Sequence, residues 1–525
     1  MKFYYLIEIL VLHIIILLEL SSLIINLIIA TCINVTNNMT MAGCRRFDGC
    51  VKYFNLFLFI TLICTLIYQP GRKNLTESIK SRLNHSHLNS ITELTKESED
   101  EKFEKFLRSY VPEPENTQLN LPNIIFYKTH KTGSSSIQNI MYRLALKHKM
   151  AIIWSKGPGT NCGHPGGFRA KGMLNKEGTG RMIANHMRSN DEIYRMMDPN
   201  IKNTFEFTIL RHPFSLLKSA YNYYNHTSSC FYDSKTFTDL VDRYDYYSHR
   251  EAGVQKPYCH NGISFDLGYD KHLFHLLDDQ EAKQKRIDEI VQSLDKKMNL
   301  VLILEHYWES MVLLKDALGI SYEDVMSFKL NRVLPGEKET LGDLNNGNMD
   351  DYREKVRKAL PIDTAIYDHF YAIFRSKWRN YGKQRMEDDV QILKFLVRGK
   401  GIVCDVIEKI PKGQGGEFLP EQNIPENKVP FHPPNVSTTT LILGPQMSKD
   451  HPDYQECMDL TLPEVQMGIA TRQRQFDEGY LITKDEFGGK SLQEIFAPIL
   501  AKRGEKLKQQ GINMNSQSLG RVLNV

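Results

Sequence analysis

Apolar residues are distributed along this chain in two ways. Near the N-terminus they run almost without interruption. Beyond residue 118 they recur as short runs between amphipathic stretches. Ile7 to Ala30 is mostly Leu and Ile, broken by Glu8, His13 and Glu19. Tyr53 to Tyr68 reads YFNLFLFITLICTLIY and carries no charge. With its flanks it approaches the roughly 20 residues a spanning helix needs, a buried core helix being the alternative for so short a run. Residues 70–118 are polar and charged, bury little, and predict a partly helical stem. After it, LPNIIFY ends at Tyr127 as a strand, and Ile137, Ile140, Met141 and Leu144 share one face of a following helix. RMIAN (181–185), TFEFTIL (204–210) and NLVLILEHY (299–307) predict three more strands. Apolar strands alternating with amphipathic helices predict an α/β fold with a central, mainly parallel sheet flanked by helices. From about residue 385 the pattern becomes irregular, with Pro- and Gly-rich stretches near 410–445.

The chain thus divides into an apolar N-terminal extension (1–40), a tail and membrane anchor (41–69), a stem (70–118), a folded domain (119–410) and a C-terminal extension without an assigned role (411–525). Its 525 residues carry 66 Lys+Arg against 62 Asp+Glu, a net charge of +4, with 41% hydrophobic residues. That balance excludes a polybasic nucleic-acid arm as the dominant feature, and the apolar content excludes disorder over most of the chain. Arg45, Arg46 and Lys52 precede the second apolar run and put that side in the cytosol by the positive-inside rule, although Arg72 and Lys73 follow it. Asn74, Asn84, Asn225 and Asn435 begin N-x-S/T sequons after the run. Asn34 and Asn38 begin sequons before it; a start at Met41 reconciles them with a single span. The expectation is a single-pass type II protein with a luminal body. Five of the nine cysteines, Cys162, Cys230, Cys259, Cys404 and Cys457, follow the anchor. None belongs to a C-x-x-C pair, so a zinc ribbon is not expected. One or two disulfides and one free thiol are, with the pairing left open.

The stretch 123–137, NIIFYKTHKTGSSSI, carries the chemistry. A buried strand leads through Lys128, Lys131, Thr132 and Gly133 to three serines and a helix. Gly133 lets backbone approach closely, helix N-terminal N–H groups point at a ligand, hydroxyls donate, and a lysine adds a point charge. It is not a Walker A loop, which places lysine after its second glycine; Lys131 precedes the only glycine here. In a second stretch, FTILRHPFSLLKSAYNYY (207–224), Arg211 stands at a strand end, Pro213 opens a helix, and Ser219 lies about two turns on. An arginine and a serine so spaced can converge on one phosphate.

Together these stretches resemble the cofactor motifs of Golgi carbohydrate sulfotransferases, and most strongly the galactose-3-O-sulfotransferases, which include galactosylceramide sulfotransferase. ANHMR (184–188), LEHYWESMVLLKDALG (304–319), EDVMSFKLN (323–331) and FYAIFRSKWRNYGKQRM (370–386) add to the resemblance, which covers about residues 121–400. It implies a P-loop-like sulfotransferase fold and a Golgi membrane location. It implies 3′-phosphoadenosine 5′-phosphosulfate (PAPS) as donor, no metal, and a galactose-terminated glycolipid or glycan as acceptor, with a homodimer among the expected assemblies. Lys128, Lys131, Thr132, Gly133, Ser134 and Ser135 would cradle the 5′-phosphosulfate, and Arg211 with Ser219 would hold the 3′-phosphate. Lys131 would stabilise the leaving phosphate. His186 is the expected base for the acceptor hydroxyl and His130 its rival. Glu305 and His306 would contact sugar or serve structure. One departure is His212, where the family often carries the aspartate of R-D-P. The leading expectation is sulfation of the 3-hydroxyl of a terminal β-galactose. Another sugar acceptor, or an inactive carbohydrate-binding relative, are the alternatives.

Overall fold

Four apolar runs pair into one parallel sheet: β1 (Asn123–Tyr127), β2 (Met182–Ile183), β3 (Thr204–Leu210) and β4 (Leu300–Ile303), in the order β2-β1-β3-β4. Asn123 pairs with Thr204 and Tyr127 with Thr208; Phe207 pairs with Leu300 and Leu210 with Ile303. All five β1 residues are buried, as a parallel strand covered on both faces requires. Burying each of Ile124, Ile125 and Phe126 contributes about 1.5–3 kcal/mol. From β1 the chain crosses to β2 on one side and then to β3 on the other. The connection therefore reverses between β1 and β3, and such a switch point opens a crevice at the strands' carboxyl ends.

This computed structural model describes residues 98–112, 119–157, 161–224, 230–231, 233–248, 259–269, 277, 279–330, 332–333, 349–409, 411–412, 417–418, 440–445, 448–481, 489–492, 494–498 and 501. The N-terminal extension, the anchor and the first part of the stem lie outside them. Among the described residues no helix is long and apolar enough to cross a membrane. The end of the stem forms α1 (Glu99–Ser109), whose Phe103 is buried with its ring 5.5 Å from that of Phe395.

The helices that build the site are α2 (Ser134–Lys147), α3 (Pro213–Tyr224), α4 (Gly262–Asp266), α5 (Gln280–Lys297), α6 (Tyr307–Leu318), α7 (Pro361–Tyr381), α8 (Lys383–Val403), α9 (Tyr454–Thr461) and α10 (Glu464–Asp477). Two expectations need correction. The strand predicted to reach residue 307 ends at Ile303. There Ser310, in the first turns of α6, accepts from Ile303 N at 3.0 Å and donates to Ile303 O at 2.9 Å, so the chain turns through Leu304–His306 straight into the helix. The irregular stretch predicted from 385 begins with the 21-residue α8 instead. Its apolar face is narrow, with Met386, Val390 and Leu393 buried among charged neighbours, and a helix that depends on tertiary packing hides in such a pattern.

Two disulfides, Cys230–Cys259 and Cys404–Cys457, leave Cys162 as a buried thiol. The second ties the end of α8 to α9 across 53 residues of chain, a closure that contributes about 2–5 kcal/mol. Beyond it, α10 is anchored through Gln475. Its Oε1 accepts from Trp154 Nε1 at 3.1 Å and Ile152 N at 3.2 Å, and its Nε2 donates to Met150 O at 2.8 Å. The C-terminal segment thereby packs beside β2, where Ile152 bridges to Met182.

Candidate active site

The loop after β1 is shaped by its own hydroxyls. Thr129 Oγ1 donates to Ile209 O at 2.8 Å, fastening the loop to β3. Thr132 Oγ1 lies 2.8 Å from Thr129 Oγ1, and Ser134 Oγ donates to Thr129 O at 2.6 Å. Thr132 and Ser134 are buried; of the predicted cradle residues, these two spend their side chains on loop shape. Lys131 and Gly133 adopt left-handed backbone, φ 60° and 77°. A side chain at φ 77° is strained, and a β-carbon on Gly133 would also press on Leu304 Cδ1 at 2.6 Å, so the position favours glycine. No acidic side chain lies in the first turn of α2, which leaves its N-terminal dipole uncompensated by its own sequence.

The cations gather around this loop. Lys128 is 2% exposed; its Nζ lies 3.2 Å from Ser134 Oγ and 3.4 Å from Ser135 Oγ. Arg211 donates from Nη1 to Lys131 O at 3.1 Å, joining the two predicted motifs directly. Lys131 Nζ sits 3.6 Å over the Tyr223 ring, and burial together with Arg211 pushes its pKa down to about 7. Ser219 lies one turn before Tyr223 on α3; register places it, rather than a bond to Arg211. Glu305, in the turn after β4, accepts from His212 N at 2.9 Å and from Tyr367 Oη at 3.3 Å. Burial lowers the Arg211 pKa and Glu305 opposes that shift. A carboxylate beside the arginine thus comes from the turn after β4, in a chain that carries His212 after Arg211. His306 stacks on Tyr371 and Phe374, its Nε2 3.2 Å from Tyr371 Oη, which is a packing role.

The two predicted histidines meet. His130 and His186 stack with centroids 4.0 Å apart. Asp266, the last residue of α4, accepts from His130 N at 2.7 Å and pairs with His130 Nδ1 at 2.8 Å, both at Oδ2; His164 Nε2 is 3.1 Å from Oδ1. Burial would raise the Asp266 carboxyl, but His130 and His164 outweigh it and hold it far below the usual range. An ionised carboxylate only accepts, so His130 Nδ1 bears the proton and Nε2 carries the lone pair. His186 is buried. Desolvation, then His130, Lys128 and His164, lower its basicity well below the ordinary imidazole value. Within the ANHMR stretch, Asn185 is buried and donates to Ile153 O at 3.1 Å, and Arg188 lies 4.2 Å over the Phe265 ring, bracing α4.

Asp363, on α7, accepts from Ile263 N at 3.0 Å and Ser264 N at 2.9 Å, so α4 and with it Asp266 are held from below. Between α3 and α4 a cleft open to solvent reaches His130, Lys131 and Asp266, with Leu216, Ala220 and Tyr224 on its apolar wall.

A family model described as galactose-3-O-sulfotransferase matches residues 53–475. The chain belongs to this family. Galactose-3-O-sulfotransferase 2 of Sus scrofa is 28% identical over 365 residues, 68% of this chain and 85% of the relative. Galactosylceramide sulfotransferase of Homo sapiens is 29% identical over 359 residues, 66% and 76% of the two chains. Galactose-3-O-sulfotransferase 3 of Mus musculus is 25% identical over 377 residues, 69% and 80%. As a family member the chain is a carbohydrate sulfotransferase. The matched stretch runs beyond the 121–400 covered by the resemblance in sequence and takes in most of α10, Glu464 included.

Three residues of the site escaped sequence reading: His164, Asp266 and Glu464. Glu464, first residue of α10, puts its carboxylate into the cradle, 3.1 Å from Lys128 Nζ and 2.6 Å from Ser135 Oγ, with Oε1 3.6 Å from His186 Nε2. The Pro463-Glu464 pair is an ordinary helix start, and nothing local marks these three positions as partners of the loop.

Proposed function

We propose that this protein transfers a sulfuryl group from PAPS to the 3-hydroxyl of a terminal β-galactose, carried by a glycolipid such as galactosylceramide or by a glycan. The observation that supports it most is the meeting of Lys131, Arg211 and the Asp266-held His130 at the switch point of the sheet. The relatives' names support the acceptor chemistry. A P-loop-like sulfotransferase arrangement suits the loop, with Lys128, Lys131, Gly133 and Ser135 around the 5′-phosphosulfate and Arg211 and Ser219 at the 3′-phosphate. Lys131 and Arg211 crowd each other in a desolvated setting, and a bound anion relieves that repulsion.

In the reaction the acceptor's 3-oxygen attacks sulfur in line and a new S–O bond forms. The S–O bond to the 5′-phosphate breaks, and its electron pair stays on the phosphate oxygen. His130 Nε2 takes the hydroxyl proton, and Asp266 stabilises the imidazolium that results. Lys131 meets the charge growing on the leaving oxygen. We place the base at His130 rather than at His186, because Asp266 fixes the His130 proton while the setting of His186 suppresses its basicity. The cleft between α3 and α4 is the acceptor's approach, its apolar wall suited to a sugar face or aglycone. A single-pass type II anchor in 41–69 and a luminal Golgi domain belong to the same reading, supported by the sequons and the two disulfides; a homodimer belongs to it by resemblance alone.

A panel of acceptors with radiolabelled PAPS tests the activity; no transfer to any galactoside contradicts it. A second prediction concerns pH. Anion binding favours protonated Lys131, whose pKa without ligand is about 7. Below that pH the proton is already present. As pH rises above it, binding must take up a proton, and affinity falls by up to about tenfold per pH unit. Calorimetry with adenosine 3′,5′-bisphosphate (PAP), the desulfated donor, at pH 6.5 and 8.5 checks this. Equal affinities would remove Lys131 as the titrating contact.

A further inference from the structure

We infer that Glu464 is an internal competitor for the donor cradle: its carboxylate occupies the anion-binding groups and screens the site against small inorganic anions. This rests on reading the cradle as the donor's phosphosulfate site, and it adds a specificity-determining residue to it.

The carboxylate reaches the cradle from 329 residues away in sequence. It takes Lys128 Nζ at 3.1 Å and the Ser135 hydroxyl proton at 2.6 Å. Both partners are enclosed: the Lys128 side chain is 1% exposed and that of Glu464 19%. Burial raises the Glu464 pKa, but Lys128 and the Ser135 bond outweigh it, so the group is an anion. The first turn of α2 has no acid of its own; Glu464 supplies the negative charge that this helix terminus and Lys128 favour. The Ser135 hydroxyl has a single proton to donate, and a second anion beside Glu464 at Lys128 meets like-charge repulsion. A ligand that needs Lys128 and Ser135 must therefore displace Glu464.

Sulfate or phosphate would meet only the cradle and would have to displace the carboxylate unaided. The donor adds its 3′-phosphate at Arg211 and Ser219, with which Glu464 forms no hydrogen bond or ion pair among the described residues. Exchange then favours the donor alone. Release need not disturb α10 beyond its first turn, because the helix is held further along, by Gln475 against Trp154 and Met150 and by Arg474 on Asp459.

The test compares wild type, Glu464→Gln and Glu464→Ala, using calorimetry with PAP and inhibition of turnover by inorganic sulfate. Glu464→Gln keeps the volume and removes the charge; a cooperative thermal melt is required of each variant. The expected result in Glu464→Ala is PAP binding tighter by about two- to threefold and a sulfate inhibition constant lower by about tenfold, so that discrimination between the two shrinks, with Glu464→Gln shifted in the same direction. Unchanged or weaker PAP binding with unchanged sulfate sensitivity overturns the inference. So does a loss of kcat at unchanged affinity, which would make Glu464 part of the chemistry. No PAP binding in any of the three folded proteins overturns the reading of the cradle itself. If Glu464→Ala fails to fold, the Glu464→Gln result decides.

Discussion

Lys131→Ala will lower kcat/KM by about 10²- to 10³-fold, the usual loss on removing one preorganised donor at a developing charge. The loss will fall mainly on kcat, because the charge that Lys131 meets grows as the bond to sulfur breaks. Lys131 is held for this work at three points: its backbone carbonyl accepts from Arg211, its Nζ lies over Tyr223, and its left-handed φ of 60° turns the loop. Lys131→Arg is not a conservative replacement, since a planar guanidinium beside Arg211 changes both geometry and repulsion. Steady-state kinetics with donor and acceptor varied separately check this. A rise in donor KM at unchanged kcat would reduce Lys131 to a binding contact.

His130→Ala will lower kcat by about 10²- to 10⁴-fold, the range for loss of a general base, while PAP binding persists. Asp266→Asn will follow in the same direction. A neutral amide no longer demands a proton on Nδ1, so Nε2 loses its guaranteed lone pair. Unchanged PAP affinity and a cooperative thermal melt in both variants separate this loss from a structural defect. His186→Ala is the control. It removes the ring stacked 4.0 Å away and should cost less than His130→Ala. The opposite ranking would return the base to His186.

Much of this was legible in the sequence, for reasons visible in particular elements. β1 and β3 occupy the residues their apolar runs predict, because strands buried on both faces have little choice of composition. The cradle was legible because Lys128 to Ser135 are contiguous, and Arg211 because it stands at the end of an unmistakable strand. What was hidden comes from chain far away. Asp266 lies 136 residues from His130, and Glu464 lies 329 from Ser135. An isolated acid in an amphipathic segment looks the same whether it faces solvent or a lysine. β4 was overextended because Leu304 continues an apolar run whose termination depends on the Ser310 hydroxyl. The charged surface of α8 likewise masked a helix that its buried face stabilises.

The regiochemistry of the product tests the central claim most directly. Purified protein, PAPS and a β-galactoside are incubated, and the sulfated sugar is examined by proton–carbon correlation NMR. The account predicts one product with the galactose H-3 and C-3 signals moved downfield and no transfer to the 3-O-methyl galactoside. Sulfation at another carbon, undiminished transfer to the 3-O-methyl compound, or no sulfated galactoside at all would contradict it.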